Sequence, residues 1–138
     1  MTTTNYEISK QLAEAGFETY TEFYYVADAK CISQGNDAED YELVHMDCGY
    51  MQKLKYCFNY PAYDFETILE ALPKLHDFFS RGVGKYELRI WYHEKKAFIG
   101  YQNFDGFDKR LTFEQEENES LADTAAKLWL KLKKEGLV

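Results

Sequence analysis

The segment from Glu119 to Val138 constrains the fold more than any other part of the chain. Ser120-Leu121-Ala122-Asp123 has capping-box form, in which hydroxyl and carboxylate each take a backbone N–H that the first helical turn leaves unpaired. Leu121, Ala125, Leu128, Trp129 and Leu132 then recur at helical spacing. Lys131, Lys133 and Lys134 fall where the helix dipole favours cations, and Gly136-Leu137 reads as a Schellman stop with its apolar contact. A helix with one apolar stripe has to bury that stripe against another layer. The segment therefore predicts the closing helix of a small packed domain that begins and ends within the sequence.

The other end predicts a second helix. Thr4 to Glu7 offers an S/T-x-x-E box, Ile8, Leu12 and Ala15 form a narrow stripe, and Gly16 stops it. Phe23 to Val26 has strand composition, and Tyr41 to Met46 alternates as a second strand beyond the loop-forming Ser33–Asp37. Met51 to Phe58 is a third strand candidate. Asp64 caps a short helix carrying Phe65, Ile68, Leu69 and Leu72, which Pro73 ends. Leu75 to Phe79 adds a turn of helix before the Arg81–Gly84 bend.

A hairpin follows. Tyr86, Leu88, Ile90 and Tyr92 share one face, with Glu87, Arg89, Trp91 and His93 on the other. Glu94-Lys95-Lys96 turns the chain, and Ala97 to Gln102 returns with Phe98 and Ile99 as its apolar content. Leu111 to Phe113 is a short last strand, and Glu114 to Glu119 an acidic linker. Strands joined by short turns pair antiparallel. The expectation is one α+β domain over residues 1–138, an antiparallel sheet of about four to six strands with about three helices packed mainly on one face. A chain of 138 residues buries roughly 70% of its unfolded surface and needs no staple.

Several segments together resemble a family of small proteins encoded by bacteriophages and prophages. They are I-S-x-x-L-x-x-A-G-F at Ile8–Phe17, the aromatic strand Phe23-Tyr24-Tyr25, P-A-Y-D-x-E-T-I-L-E-A-L-P at Pro61–Pro73, and E-S-L-A-D-T-A-A-K-L-W-L-K-L-K-K-E-G-L at Glu119–Leu137. The resemblance covers most of the chain in order, but each matched piece is architectural: caps, core positions and helix stops. The family brings no agreed catalytic motif, so no functional residue carries over. Asp37–Glu42 and Phe78–Gly84 match nothing in it.

The residues themselves give chemistry little to work with. His45 and Cys48 have H-x-x-C spacing with Cys57 further on, one loose pair and a lone thiol where zinc wants four ligands. Cys48 has no nucleophile elbow around it. The carboxylate runs, Asp37-Glu39-Asp40-Glu42 and Glu114-Glu116-Glu117-Glu119, read as solvated loops, and Gly82-Val83-Gly84-Lys85 lacks phosphate-loop spacing. No catalytic residue, cofactor or metal is assigned. Three cysteines without a framework predict reduced thiols and a cytoplasmic setting. The N-terminus lacks secretory-leader character, and no apolar run reaches membrane-spanning length.

Charge is uneven. Residues 1–70 hold 4 Lys and 13 acids, and residues 71–138 hold 12 basic and 11 acidic residues, within a net charge of −8. Arg89, Trp91 and His93 on one strand face, with Lys95 and Lys96 at the turn and Lys109-Arg110 nearby, are of a kind that binds single strands. But Glu87 shares that face, and the acidic chain repels phosphate, which disfavours nucleic acid as a partner. The same charge attracts basic protein surfaces. The leading expectation is a non-enzymatic accessory protein that binds a host bacterial protein, such as a defence or nucleic-acid enzyme. The candidate contact residues are Asp37, Glu39, Asp40 and Glu42, together with Arg89, Trp91 and His93 on the hairpin. Two alternatives stand beside it: a small-molecule binder or enzyme with a pocket between sheet and helices, and a homo-oligomer whose second copy covers Arg89, Trp91 and His93.

Overall fold

The computed structural model describes residues 2–28, 41–45, 57–76, 86–103 and 109–138. In chain order the elements are α1 (Tyr6–Glu14), β1 (Phe23–Asp28), β2 (Glu42–His45), β3 (Cys57–Ala62), α2 (Phe65–Ala71), β4 (Leu75–His76), β5 (Tyr86–His93), β6 (Lys96–Asn103), β7 (Lys109–Glu114) and α3 (Leu121–Lys134). This is an α+β fold whose strand pairs are all antiparallel. The strands divide between two sheets, ordered β2-β1-β3 and β4-β5-β6-β7. The helices form a layer touching both: α1 packs on β3, α3 on β6 and β7, and α1 and α2 on α3. No helix among the described residues is long and apolar enough to cross a membrane.

The closing helix forms as its sequence dictates. Ser120 is its N-cap with both capping-box bonds present, and Gly136 takes φ 73° after the last turn. Its stripe of Ala122, Ala125, Leu128, Trp129 and Leu132 joins Ile8, Leu12, Ile68, Leu72, Ile99 and Tyr101 in a continuous core. Phe17 stands edge-on to Trp129 at 4.8 Å and to Tyr63 at 4.7 Å, closing the core where α1 hands over to β1.

The opening helix departs from expectation at its cap. Asn5, not Thr4, is the N-cap, its side chain accepting from the Ile8 N–H at 2.9 Å. Thr4 is fully buried and engaged elsewhere. Its N–H donates to the Tyr63 carbonyl at 2.9 Å, its hydroxyl accepts from the Tyr63 N–H at 3.2 Å, and its carbonyl accepts from the Tyr25 hydroxyl at 3.1 Å. Burial, with Asp123 nearby, pushes the Tyr25 hydroxyl above the usual tyrosine range. The chain entry is thus a strap sewn to the β3–α2 junction, and Asn5 is the first residue available to cap.

Two further expectations shift. Leu75 and His76 form a strand, not a helical turn, pairing with Glu87 and Tyr86. Pro73 has ended α2, and the Leu88 N–H captures the Lys74 carbonyl at 2.8 Å, drawing the segment onto the sheet. The third strand covers Cys57–Ala62 and so includes Pro61; residues 51–56 of the expected strand lie outside the described residues. A proline is tolerated there because β3 is an edge strand among the described residues.

The hairpin matches expectation in facing, and its turn is one residue shorter than expected, with Lys96 joining β6. Trp91 pairs with Phe98 and His93 with Lys96 across a two-residue turn, Glu94 (φ 50°) and Lys95 (φ 68°), whose left-handed backbone suits the strand twist. Tyr86, Ile99 and Tyr101 point into the core, and the Tyr101 hydroxyl donates to the Pro73 carbonyl at 2.6 Å. Burial raises that hydroxyl far above the usual tyrosine range.

β7 joins β6 through an irregular register between Ile99 and Tyr101, where Leu111 takes φ 48°. Gly100 permits this approach. A Cβ there would lie 2.8 Å from the Thr112 Cα and 3.0 Å from the Leu111 carbonyl oxygen, both backbone atoms that cannot swing aside. Gly100→Ala is therefore expected to lower stability by about 1–3 kcal/mol, the cost of an overpacked site. Urea denaturation measures it, and an unchanged midpoint would show that β7 does not lie this close.

Candidate functional site

Strand alternation places Glu87, Arg89, Trp91 and His93 on the face of the four-stranded sheet opposite the core residues Tyr86, Ile99 and Tyr101. β6 contributes Lys96, Phe98, Gly100 and Gln102 to the same face, and β7 contributes Lys109, Thr112 and Glu114. The helices pack on the other side, because α3 meets this sheet through the buried stripe that joins Ile99 and Tyr101.

Trp91 and Phe98 lie nearly parallel here, ring centroids 5.7 Å apart at 9°. The Lys109 ammonium reaches over the indole, 5.2 Å from its centroid. Gly100 supplies no side chain between Phe98 and Gln102, leaving the aromatic pair beside a low floor. Trp91, His93, Phe98, Lys109 and Thr112 line an open cleft of about 530 Å³.

The polar groups around the cleft are mostly paired. Arg89 Nε donates to the Glu87 carboxylate at 2.9 Å and its Nη1 to Gln102 Oε1 at 3.3 Å. Lys96 pairs with Glu114 at 2.8 Å, which raises the lysine above its ordinary range. His93 projects into solvent with its Nε2 3.8 Å from the Glu94 carboxylate.

Arg89, Trp91 and His93 are thus brought together. Glu42 is exposed on β2, in the other sheet, and Asp37, Glu39 and Asp40 lie outside the described residues. The sequence sets Lys109 near the hairpin face but places neither Phe98 nor Thr112 in the site. The expected three-residue turn, Glu94-Lys95-Lys96, puts Phe98 opposite Tyr92, whereas the two-residue turn puts it opposite Trp91. Thr112 was not reachable, because its position depends on the irregularity opposite Leu111.

Other titratable groups are arranged structurally. Glu22 accepts from Tyr20 at 3.1 Å and lies 3.0 Å from His45 Nε2, contacts that hold its carboxyl below the usual range. Glu119, from the run expected to be solvated, keeps a nearly buried side chain that takes the Thr124 hydroxyl at 2.7 Å and pairs with Lys127. That pairing raises Lys127. Cys31 and Cys48 lie outside the described residues, and among the described residues no three His, Cys, Asp or Glu side chains converge as a metal site.

Comparison with protein-family models, with curated proteins and with solved structures found no match to the chain.

The geometry makes a spectroscopic prediction. Trp129 is 8% exposed in the core, whereas Trp91 stands at the open face. Trp91→Phe should shift tryptophan emission to shorter wavelength and remove most acrylamide quenching. If the quenchable, longer-wavelength component survives in that variant, Trp91 is not at an open surface.

Proposed function

We propose that this chain is a non-enzymatic, acidic protein-binding module. In this reading it is a phage- or prophage-like accessory protein that acts in the bacterial cytoplasm on a host protein with a basic surface, such as a defence or nucleic-acid enzyme. The observation that carries the reading is the excess of exposed carboxylates in residues 1–70. Glu7, Glu14, Glu18, Glu22, Glu42 and Glu66 are all exposed, and residues 1–70 hold 13 acids against 4 lysines. Like charges spread over one region raise the encounter rate with an oppositely charged patch more than they add contact energy. The family resemblance of Ile8–Phe17, Pro61–Pro73 and Glu119–Leu137 supports the phage or prophage setting.

The reading predicts salt-sensitive association. Capture of the tagged protein from bacterial lysate should retain one stoichiometric partner of basic surface at low salt and lose it at high salt. Reversing Glu18, Glu22 and Glu42 to lysine together should slow association with that partner by roughly tenfold or more. Association indifferent to salt and to the triple reversal would overturn the charge mechanism.

A second reading, a small-molecule-binding protein, draws on a different observation: the cleft beside Trp91 and Phe98, whose volume of about 530 Å³ is that of a ligand site.

A further inference from the structure

We infer that the cleft on the open face of the four-stranded sheet binds a nucleobase carrying a phosphate, the base against Trp91 and Phe98 and the phosphate at Lys109. The inference rests on this sheet face alone and goes beyond the acidic-binder reading, which is carried by the carboxylates of residues 1–70.

Three features of the cleft favour that chemistry. The first is its flatness. Two parallel aromatic rings, stacked 5.7 Å apart at 9°, offer π-faces to a third ring, and every base has a π-face that stacks on such a ring. The second is charge. The described side chains lining the cleft include Lys109 and His93 and no carboxylate. Among the described residues, Glu87 is engaged with Arg89 at 2.9 Å and Glu114 with Lys96 at 2.8 Å, and Glu94 lies 3.8 Å from His93 at the rim. An anion entering beside Trp91 meets the Lys109 ammonium, which rests over the indole ring. The third is the position of Lys109. Its ammonium rests over the indole at 5.2 Å, an exposed cation–π contact that is weak beside base-on-aromatic stacking. An incoming base takes over the ring, and the flexible lysine moves to the phosphate. Thr112 adds a hydroxyl at the edge, suited to the polar rim of a base or sugar.

The whole-chain charge of −8 sets the scale of the ligand. A long polyanion would be repelled by the acidic half, whereas a unit carrying one or two charges sees mainly the local lining. The same base–phosphate chemistry is offered by a free nucleotide and by a short single strand, so the test carries both.

Equilibrium dialysis of the intact protein against adenosine 5′-monophosphate, adenosine, inorganic phosphate and a short oligothymidylate would decide it. The monophosphate or the oligomer should bind saturably at one site, more tightly than adenosine or phosphate alone. Trp91→Ala and Lys109→Glu should each weaken binding by roughly tenfold or more, while Glu70→Lys on the acidic half leaves the Trp91 and Lys109 effects in place. Melting temperatures near that of the parent protein would show the variants folded, and Lys109 is exposed enough that its reversal does not threaten the core. Preference for the monophosphate identifies a free nucleotide, and preference for the oligomer identifies a single strand. Failure of both to bind, or binding unchanged by Lys109→Glu, overturns the inference.

Discussion

The structure depends on one buried carboxylate. Asp123 is 3% exposed and accepts two backbone donors. The Ser120 N–H at 3.2 Å completes the cap of α3, and the Asn5 N–H at 2.7 Å comes from the opposite end of the sequence. Asn5 in turn caps α1, and Thr4 beside it is bonded to the backbone of Tyr63 between β3 and α2. The Ser120 hydroxyl donates to the Thr3 carbonyl at 3.4 Å, adding a second link between the same segments. The starts of two helices and the exit of a sheet thus meet at one joint. A buried carboxylate is tolerable only when its oxygens are bonded, so the joint holds only with both ends of the chain in place.

That joint explains how two sheets share one core. α3 lies on β6 and β7, and α1 lies on β3, so α1 meeting α3 at the strap connects the two. The helix layer covers one face of the four-stranded sheet, and the other face carries Trp91 and Phe98, stacked and half-buried. Residues 1–70, which include α1, β1, β2 and β3, carry 13 acids against 4 lysines, and the cleft with Lys109 belongs to the four-stranded sheet. The two parts of the chain therefore differ in charge balance, net −9 for residues 1–70 against net +1 for residues 71–138.

Local punctuation was legible in the sequence, and long-range pairing was not. Ser120, Asp123 and Gly136 set the bounds of α3 because caps and stops are decided by neighbours a turn away. Asp64 capped α2 as its type implies, accepting from the Thr67 N–H at 2.8 Å. The facing of β5 followed from strict alternation. Thr4 misled because its competing partners, Tyr63 and Tyr25, are distant in sequence and outbid the local capping box. Leu75 and His76 were helical by continuity with α2, but pairing with β5 overrode that local preference. In the site, Arg89, Trp91 and His93 were visible from alternation. Lys109 was expected nearby, but its place over Trp91 depends on the Leu111 irregularity and the bare backbone of Gly100, neither of which has a pattern in sequence.

The central claim is that Asp123 holds the two ends of the chain in one cooperative unit. Urea denaturation of Asp123→Ala, read together with native-state hydrogen exchange, tests it most directly. Loss of both acceptors should cost about 2–4 kcal/mol, and the Asn5 and Ser120 amides should lose protection together. A change below about 0.5 kcal/mol, within what an ordinary surface substitution produces, with both amides still protected, would contradict the account.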